Sequence, residues 1–305
     1  MTGRDHIPVL RAEILSLLDV SRDGTYLDGT VGLGGHAASI LESNPRARVV
    51  GLDLDEQALL VASERLRPYA DRVKLFQADF RTLPELDLDL SDVRGLLLDL
   101  GMSSFQLDDP ARGFSHSLDG PLDMRMDRRQ KQTAAAILEK YSEPKLSHLF
   151  WEYGELKQAA KLARAIASLR RTQKVESTAQ LRVLVEEVCR WIPQKGKIHP
   201  AAKVFQALRI EVNRELEGLG EFLEEAVRIL PVGTNLAVVS FHSFEDRVVK
   251  RTFGRLARPE DGPPLLDLLT KKPVVPTEAE EARNPRSRSA KLRAAKIRPH
   301  GPQEI

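Results

Sequence analysis

Cysteine is almost missing from this 305-residue chain. Cys189 stands alone, which excludes an intramolecular disulfide framework and a cysteine-built zinc cluster. Aromatic residues make up only 5%, and no apolar run approaches the roughly 18 residues that a membrane-spanning helix needs. The N-terminal MTGRDHIP lacks the basic segment and apolar core of a secretory signal, so a cytoplasmic protein away from membranes is expected. A dominant charge is lacking too: 46 Lys and Arg against 44 Asp and Glu leave +2, which says almost nothing about partners. What is present is an ordinary globular composition, 42% hydrophobic and 30% charged. The length suits about two domains of roughly 150 residues each. Basic residues are nevertheless clustered, with six and no acidic residue over 157–174, and seven and no acidic residue over 283–298. Each run is either a phosphate-binding surface or a solvated face.

The first hundred residues alternate between two periodicities. Residues 25–28, 48–53, 72–77 and 93–99 are short apolar-rich runs ending in acidic or turn residues, the pattern of buried parallel strands. Between them, 36–42 and 56–67 carry apolar residues at helical spacing, with Ala58, Leu59, Ala62 and Leu66 in one stripe. Strand ends at 28, 53, 79 and 99 recur at the length of a βαβ unit, so an open α/β sheet is expected. After a loop over 108–127 rich in Gly, Pro and Asp, only helical pattern follows: 133–140, 144–151, 156–169, 178–191 and 201–216. A further helix over 221–230 precedes a returning strand at 235–241, and a helix over 243–253 follows it. A sheet interrupted and resumed implies an inserted helical domain, which divides the chain as 1–109, 110–215 and 216–305. Residues 259–285 read as an irregular crossing, and SAKLRAAKI (289–297) as a final edge strand with basic side chains in solvent.

The densest chemical signal is DGTVGLGGH, residues 28–36, at the first strand–helix junction. Gly32, Gly34 and Gly35 let backbone approach a ligand, and the following helix offers free N–H groups. Asp53, ending the second strand, is placed to accept hydrogen bonds from ribose hydroxyls. A nucleoside-containing cofactor is therefore expected, of one of two classes. Residues 32–37 fit the GxGxxG/A dinucleotide pattern, which keeps a nicotinamide-dependent oxidoreductase in view. Asp28, however, repels a pyrophosphate and welcomes the cationic groups of S-adenosylmethionine. Asp79 and Phe80 suit an adenine's exocyclic amine and π-face. With Asp99 they complete an acidic row along the carboxyl edge of the sheet, where such folds bind ligands. Helix capping is the plain alternative for one or two of these acids.

Five longer motifs carry a resemblance: LLLDLGMSSFQLD (96–108), FSHSLDGPLDMRMD (114–127), HPAAKVFQALRIEVNREL (199–216), SFHSFEDRVVK (240–250) and NPRSRSAKLRAAKI (284–297). In this order, nearly end to end, they resemble the ribosomal RNA small-subunit methyltransferase H family, also called MraW. The resemblance implies a class I, Rossmann-like, S-adenosylmethionine-dependent methyltransferase with an inserted all-helical domain for substrate recognition. It also implies methylation of the N4 amine of a decoding-region cytidine in 16S rRNA, on free rRNA or the small ribosomal subunit. The family's cofactor contacts fall on Gly34, Gly35, His36, Asp53, Phe80, Asp99 and Gln106. Two departures, Phe105 in place of the usual Pro and Phe244 in place of Leu, change no charge or donor.

Cytosine's N4 amine is a poor nucleophile because its lone pair is delocalised into the ring. Asp99 is the candidate catalytic residue, accepting from the amine so that in-line attack needs mainly alignment and no covalent intermediate. Cys189, remote from every motif, reads as a core residue rather than a C5-attacking thiolate. Phe105, Phe241 and His242 are candidates for stacking on the base. Ser103, Arg125, Arg209, Asn213 and His242 are substrate candidates, with Arg125 alternatively tying its own acidic loop. On the helix from 201, Gln206, Arg209 and Asn213 share a face that contacts either RNA or the sheet domain. His6, His116, His148, His199, His242 and His300 show no metal-ligand spacing, so no metal is expected. A different class, an RNA-binding or assembly factor with a silent cofactor domain, is disfavoured by the intact glycine loop.

Overall fold

A computed structural model describes residues 8–194 and 196–299; His6 and His300 lie outside them. From the amino end, α1 (Arg11–Leu18) leads into β1 (Gly24–Asp28). Alternation follows through α2 (Gly35–Ser43), β2 (Ala47–Asp53), α3 (Glu56–Leu66), β3 (Val73–Gln77) and β4 (Val93–Asp99). Helices alone come next: α4 (Ser104–Asp108), α5 (Ala134–Lys140), α6 (Glu143–Glu152), α7 (Ala159–Leu169), α8 (Thr178–Cys189) and α9 (Pro200–Asn213). The chain then returns through α10 (Leu219–Ile229), β5 (Asn235–Ser240), α11 (Ser243–Ala257), β6 (Leu266–Leu268), α12 (Glu278–Arg283) and β7 (Lys291–Ile297). Two compact units result, Met1–Gly101 with Leu216–Ile305, and Met102–Glu215.

The first unit is built on one sheet in the order β3-β2-β1-β4-β5-β7-β6. Strands β1 to β5 are parallel, and β7 runs antiparallel to β5 and β6. Period-two alternation sends Leu96 and Leu98 of β4 into one core with Leu223 and Val227 of α10, and Leu97 into the other with Ile14 and Leu18 of α1. Because both faces are covered, the central strands β4 and β5 are buried along most of their length rather than alternating, whereas the edge strand β3 has no fully buried residue. The order reverses beside β1, between its neighbours β2 and β4, and the carboxyl ends of these three strands border the resulting crevice.

Two expectations fail at the far side of this sheet. Strand β7 is not an edge: it lies between β5 and the short β6, which falls inside the stretch read as an irregular crossing. Its basic side chains do not all face water either, since Arg293 is buried and its Nε donates to Asp246 Oδ1 at 2.7 Å. A three-residue strand is too short to show a period, so β6 left no sequence signal.

The second unit is helical and closes on its own core. Ala159, Leu162, Ala163 and Ile166 of α7 form its buried stripe at helical spacing. Leu146 and Phe150 of α6, Leu181 and Val185 of α8, and Val204 and Leu208 of α9 join the same core. Helix α8 opens with a capping box in which the Ser177 and Gln180 side chains satisfy each other's backbone N–H. The unit begins at Met102, earlier than the expected 110, because Met102 and Leu107 pack on this helical core. Among the described residues, no helix is long and apolar enough to cross a membrane.

Candidate functional site

The glycine loop joins β1 to α2 through two left-handed turns, Gly32 at φ 51° and Gly34 at φ 76°. Only glycine enters this region without steric cost, and a Cβ at Gly34 would stand 3.3 Å from the Ala62 backbone and 3.2 Å from Leu66. Asp53, ending β2, pins the loop: its Oδ2 accepts the Gly32 N–H at 2.7 Å while Oδ1 accepts the Asp55 N–H at 2.9 Å. Burial, the leading effect, pushes its pKa up to about 6 in spite of those two hydrogen bonds.

Three groups at the switch point are buried without satisfaction. Asp28 Oδ2, Asp99 Oδ1 and His36 Nε2 have no hydrogen-bond partner, although His36 Nε2 and Asp99 Oδ2 approach to 3.5 Å. Asp28 is almost wholly buried, and desolvation pushes its pKa up to about 7. The charge of His36 and the Thr30 N–H oppose the shift, and Asp99 and Asp53 add to it. Each orphaned polar group costs on the order of 1–3 kcal/mol, a cost that a bound ligand with donors or positive charge relieves. Thr30 was not singled out from the sequence, yet its Oγ1 accepts the Asp99 N–H at 2.6 Å and fastens the loop to β4. A hydroxyl inside the glycine motif was the signal available.

Asp79 and Phe80 follow β3 at the same edge. The Asp79 carboxylate is engaged by Arg81, with Nε to Oδ1 at 2.8 Å and Nη2 to Oδ2 at 2.6 Å, and it also caps the Arg81 N–H. Capping and ion pairing thus account for Asp79 more directly than an adenine contact does. The Phe80 ring packs edge-on against Phe222, centroids 4.9 Å apart.

Several substrate candidates turn out to be structural. Arg125 grips Asp123 with two hydrogen bonds of 2.7 Å and donates to the carbonyls of Arg128 and Gln130, so it ties its own loop. This pairing holds the Asp123 carboxyl below its ordinary value against the opposing effect of burial. Arg209 and Asn213 are both buried. Arg209 pairs with Glu215 at 2.8 and 2.9 Å, while Asn213 accepts the Met126 N–H and donates to the Met124 carbonyl, each at 2.8 Å. The shared helix face therefore serves the interior of the second unit. Ser103 and Gln106 lie in that unit as well and form the capping box of α4. His242 is the N-cap of α11, and its imidazole, only 6% exposed, is locked to Glu245, which removes it as an open stacking surface. Phe241 lies against Gly101.

Several side chains of the basic runs are engaged within their own unit, although most of the basic residues in the two runs are exposed. Arg170 donates to the carbonyls of Leu138, Glu139 and Tyr141, and Lys174 pairs with Glu139. Lys291 and Arg293 share Asp246, and Arg298 pairs with Asp267. A cavity of about 580 Å³ opens at the opposite, amino edge of the sheet, lined by Asp23, Arg46, Arg48, Arg72, Asp92 and Arg94. Its guanidinium groups are paired with Asp23 and Asp92 or with the carbonyls of Leu41, Asn44 and Ala47. We therefore place the candidate site at the carboxyl edge, where the unpartnered atoms of Asp28, His36 and Asp99 cluster beside the glycine loop.

The model of the MraW methylase family matches residues 3–298. A ribosomal RNA small subunit methyltransferase H from Carboxydothermus hydrogenoformans is 46% identical, over 95% of this chain and 97% of that protein. Proteins of the same name from Symbiobacterium thermophilum and a Cyanothece species are 45% and 47% identical, each over 95% of this chain and covering 95% and 94% of their own lengths.

Proposed function

Because the chain belongs to the MraW methylase family, we propose that it transfers a methyl group from S-adenosylmethionine to the N4 amine of a decoding-region cytidine in 16S rRNA. The observation that carries this reading is the orphaned cluster of Asp28, His36 and Asp99 beside the glycine loop. Two carboxylates, each with a buried unpartnered oxygen, suit a ligand bearing cationic groups and disfavour a pyrophosphate, which sets aside a nicotinamide dinucleotide.

Gly32, Gly34 and Gly35 keep Cβ atoms out of the loop, so backbone N–H groups at the start of α2 reach the cofactor's amino-acid end. Asp28 and His36 supply charge and polarity there. Asp53 still has lone pairs for ribose hydroxyls after accepting two backbone hydrogen bonds, and Phe80 offers a ring face toward the adenine. When bound, the cofactor supplies an electrophilic methyl on a sulfonium. Asp99 Oδ1, buried and unpartnered at the end of β4, accepts a hydrogen bond from the target amine. That bond draws the nitrogen lone pair out of conjugation and aims it, so rate comes mainly from orientation.

The test is transfer of labelled methyl to free 16S rRNA and to small ribosomal subunits, with the product nucleoside identified by mass spectrometry. N4-methylcytidine at one position supports the reading, and the preferred substrate tells whether naked RNA or the assembled particle is recognised. Cofactor binding with no labelled base on either substrate overturns it.

A further inference from the structure

We propose that the second unit carries a stacking platform for unpaired nucleobases, built from Trp191 and the imidazoles of His199 and His116. It rests on the reading above that RNA is the substrate, and it concerns a surface formed wholly within residues 102–215. The His116 and His199 rings lie nearly parallel, with centroids 5.1 Å apart and an interplanar angle of 15°. The Trp191 indole meets His199 at 5.1 Å and 61°. On the inner side, buried Phe205 meets His116 edge-on at 6.0 Å. Phe205 thus anchors the row in the core, while Trp191, His199 and His116 remain half-exposed.

The row is held rigid before any ligand arrives. His199 is the N-cap of α9, its Nδ1 accepting the Ala201 N–H at 3.1 Å, so Nε2 carries the proton and faces Glu186 Oε1 at 3.2 Å. A ring engaged at both nitrogens cannot swing away, so it holds His116 and Trp191 in place on either side of it. Burial, with the charges of His199 and Arg182, holds the His116 pKa below the ordinary histidine value.

The surroundings select the occupant. Ile192 and Ile198, 70% and 69% exposed, are the most exposed large apolar side chains among the described residues. Exposed Arg190 and Lys197 accompany them, while Glu186 beside His199 is already paired with Arg182. Aromatic and aliphatic faces amid cationic groups match single-stranded RNA, whose bases stack while its phosphates meet the cations. Stacking of this kind tolerates any base, so the platform would grip nucleotides flanking the target rather than read them.

Replacing the exposed Trp151 by Phe leaves Trp191 as the only indole, because the chain has two tryptophans. Titrating this variant with single-stranded oligocytidylate should quench its emission saturably, and a duplex of equal length should quench it far less. Trp191→Ala should weaken RNA affinity by about tenfold, with Trp191→Phe restoring most of it and cofactor affinity unchanged. Trp151→Phe also serves if Trp191→Ala fails to fold, since its quenching reports on the intact platform. An unquenched indole at saturating RNA, or equal RNA affinity in wild type and a folded Trp191→Ala, overturns the platform while methyl transfer by wild type continues. Quenching by an unrelated protein partner but not by RNA overturns it as well. If the wild type also methylates no ribosomal substrate, the functional reading falls separately.

Discussion

Cofactor affinity should depend on pH through Asp28, and the structure sets both the sign and the size. Burial raises this carboxyl to about 7, so near neutrality it is half protonated before the cofactor binds. A cationic ligand favours the carboxylate. Binding below that pH must first remove a proton, and the dissociation constant should rise about tenfold per pH unit, equivalent to 1.36 kcal/mol. Above the Asp28 pKa the constant should level off. The charges of His36, Asp99 and Asp53 act on the same group, and Asp53, at about 6, adds a further loss on the acid side. Titration calorimetry in buffers of different ionisation enthalpy measures affinity and proton release together. Wild type should release close to one proton just below the transition and none well above it. Asp28→Asn should bind more weakly at high pH and lose the slope centred near neutrality. The sign for folding alone is opposite: an acid whose folded value is raised binds more protons when folded, so the ligand-free protein loses stability as pH climbs toward the Asp28 value. A wild-type dissociation constant that stays flat across this transition, with no proton released, would falsify the role given to Asp28.

Asp99→Ala should lower kcat by on the order of 10²-fold with a smaller effect on cofactor affinity, measured by single-turnover methyl transfer. Turnover at the wild-type rate removes Asp99 from the chemistry. Gly34→Ala should destabilise the first unit by roughly 1–3 kcal/mol and weaken cofactor binding, because an L side chain is strained at φ 76° and its Cβ meets Ala62. Chemical denaturation and cofactor titration read the two effects. Asn213→Ala should cost the second unit about 2–4 kcal/mol, since it frees the Met124–Met126 segment in which Met124 holds a left-handed φ of 62°. A thermal transition unchanged from wild type contradicts the structural role assigned to Asn213.

The parallel half of the sheet was legible because its strands from 24–28 to 93–99 are short apolar-rich runs that recur at the length of a βαβ unit. The helical insertion was legible for a similar reason, its stripes repeating over many turns. The loop glycines were readable as a turn, and Asp28, Asp53 and Asp99 as acids at strand ends. Their states were not readable. That Asp53 is tied to Gly32, that Asp79 is taken by Arg81, and that Asp28 and Asp99 keep an orphaned oxygen depend on neighbours supplied by other strands and loops.

Charged and polar residues off the sheet show the same division. Arg125, Arg209 and Asn213 looked available for substrate, but their partners complete the interior of the second unit. In β7, Arg293 looked like a solvent-facing edge charge and is buried against Asp246. The sequence by itself determined which segments become strands and helices, since backbone periodicity and the burial of apolar side chains act over a few residues. It also determined that a glycine turn with flanking acids would form. Only the tertiary structure decided which charges stay unpaired and so remain able to bind, because a charge is satisfied by whichever partner the fold brings within about 3 Å, however distant that partner is along the chain.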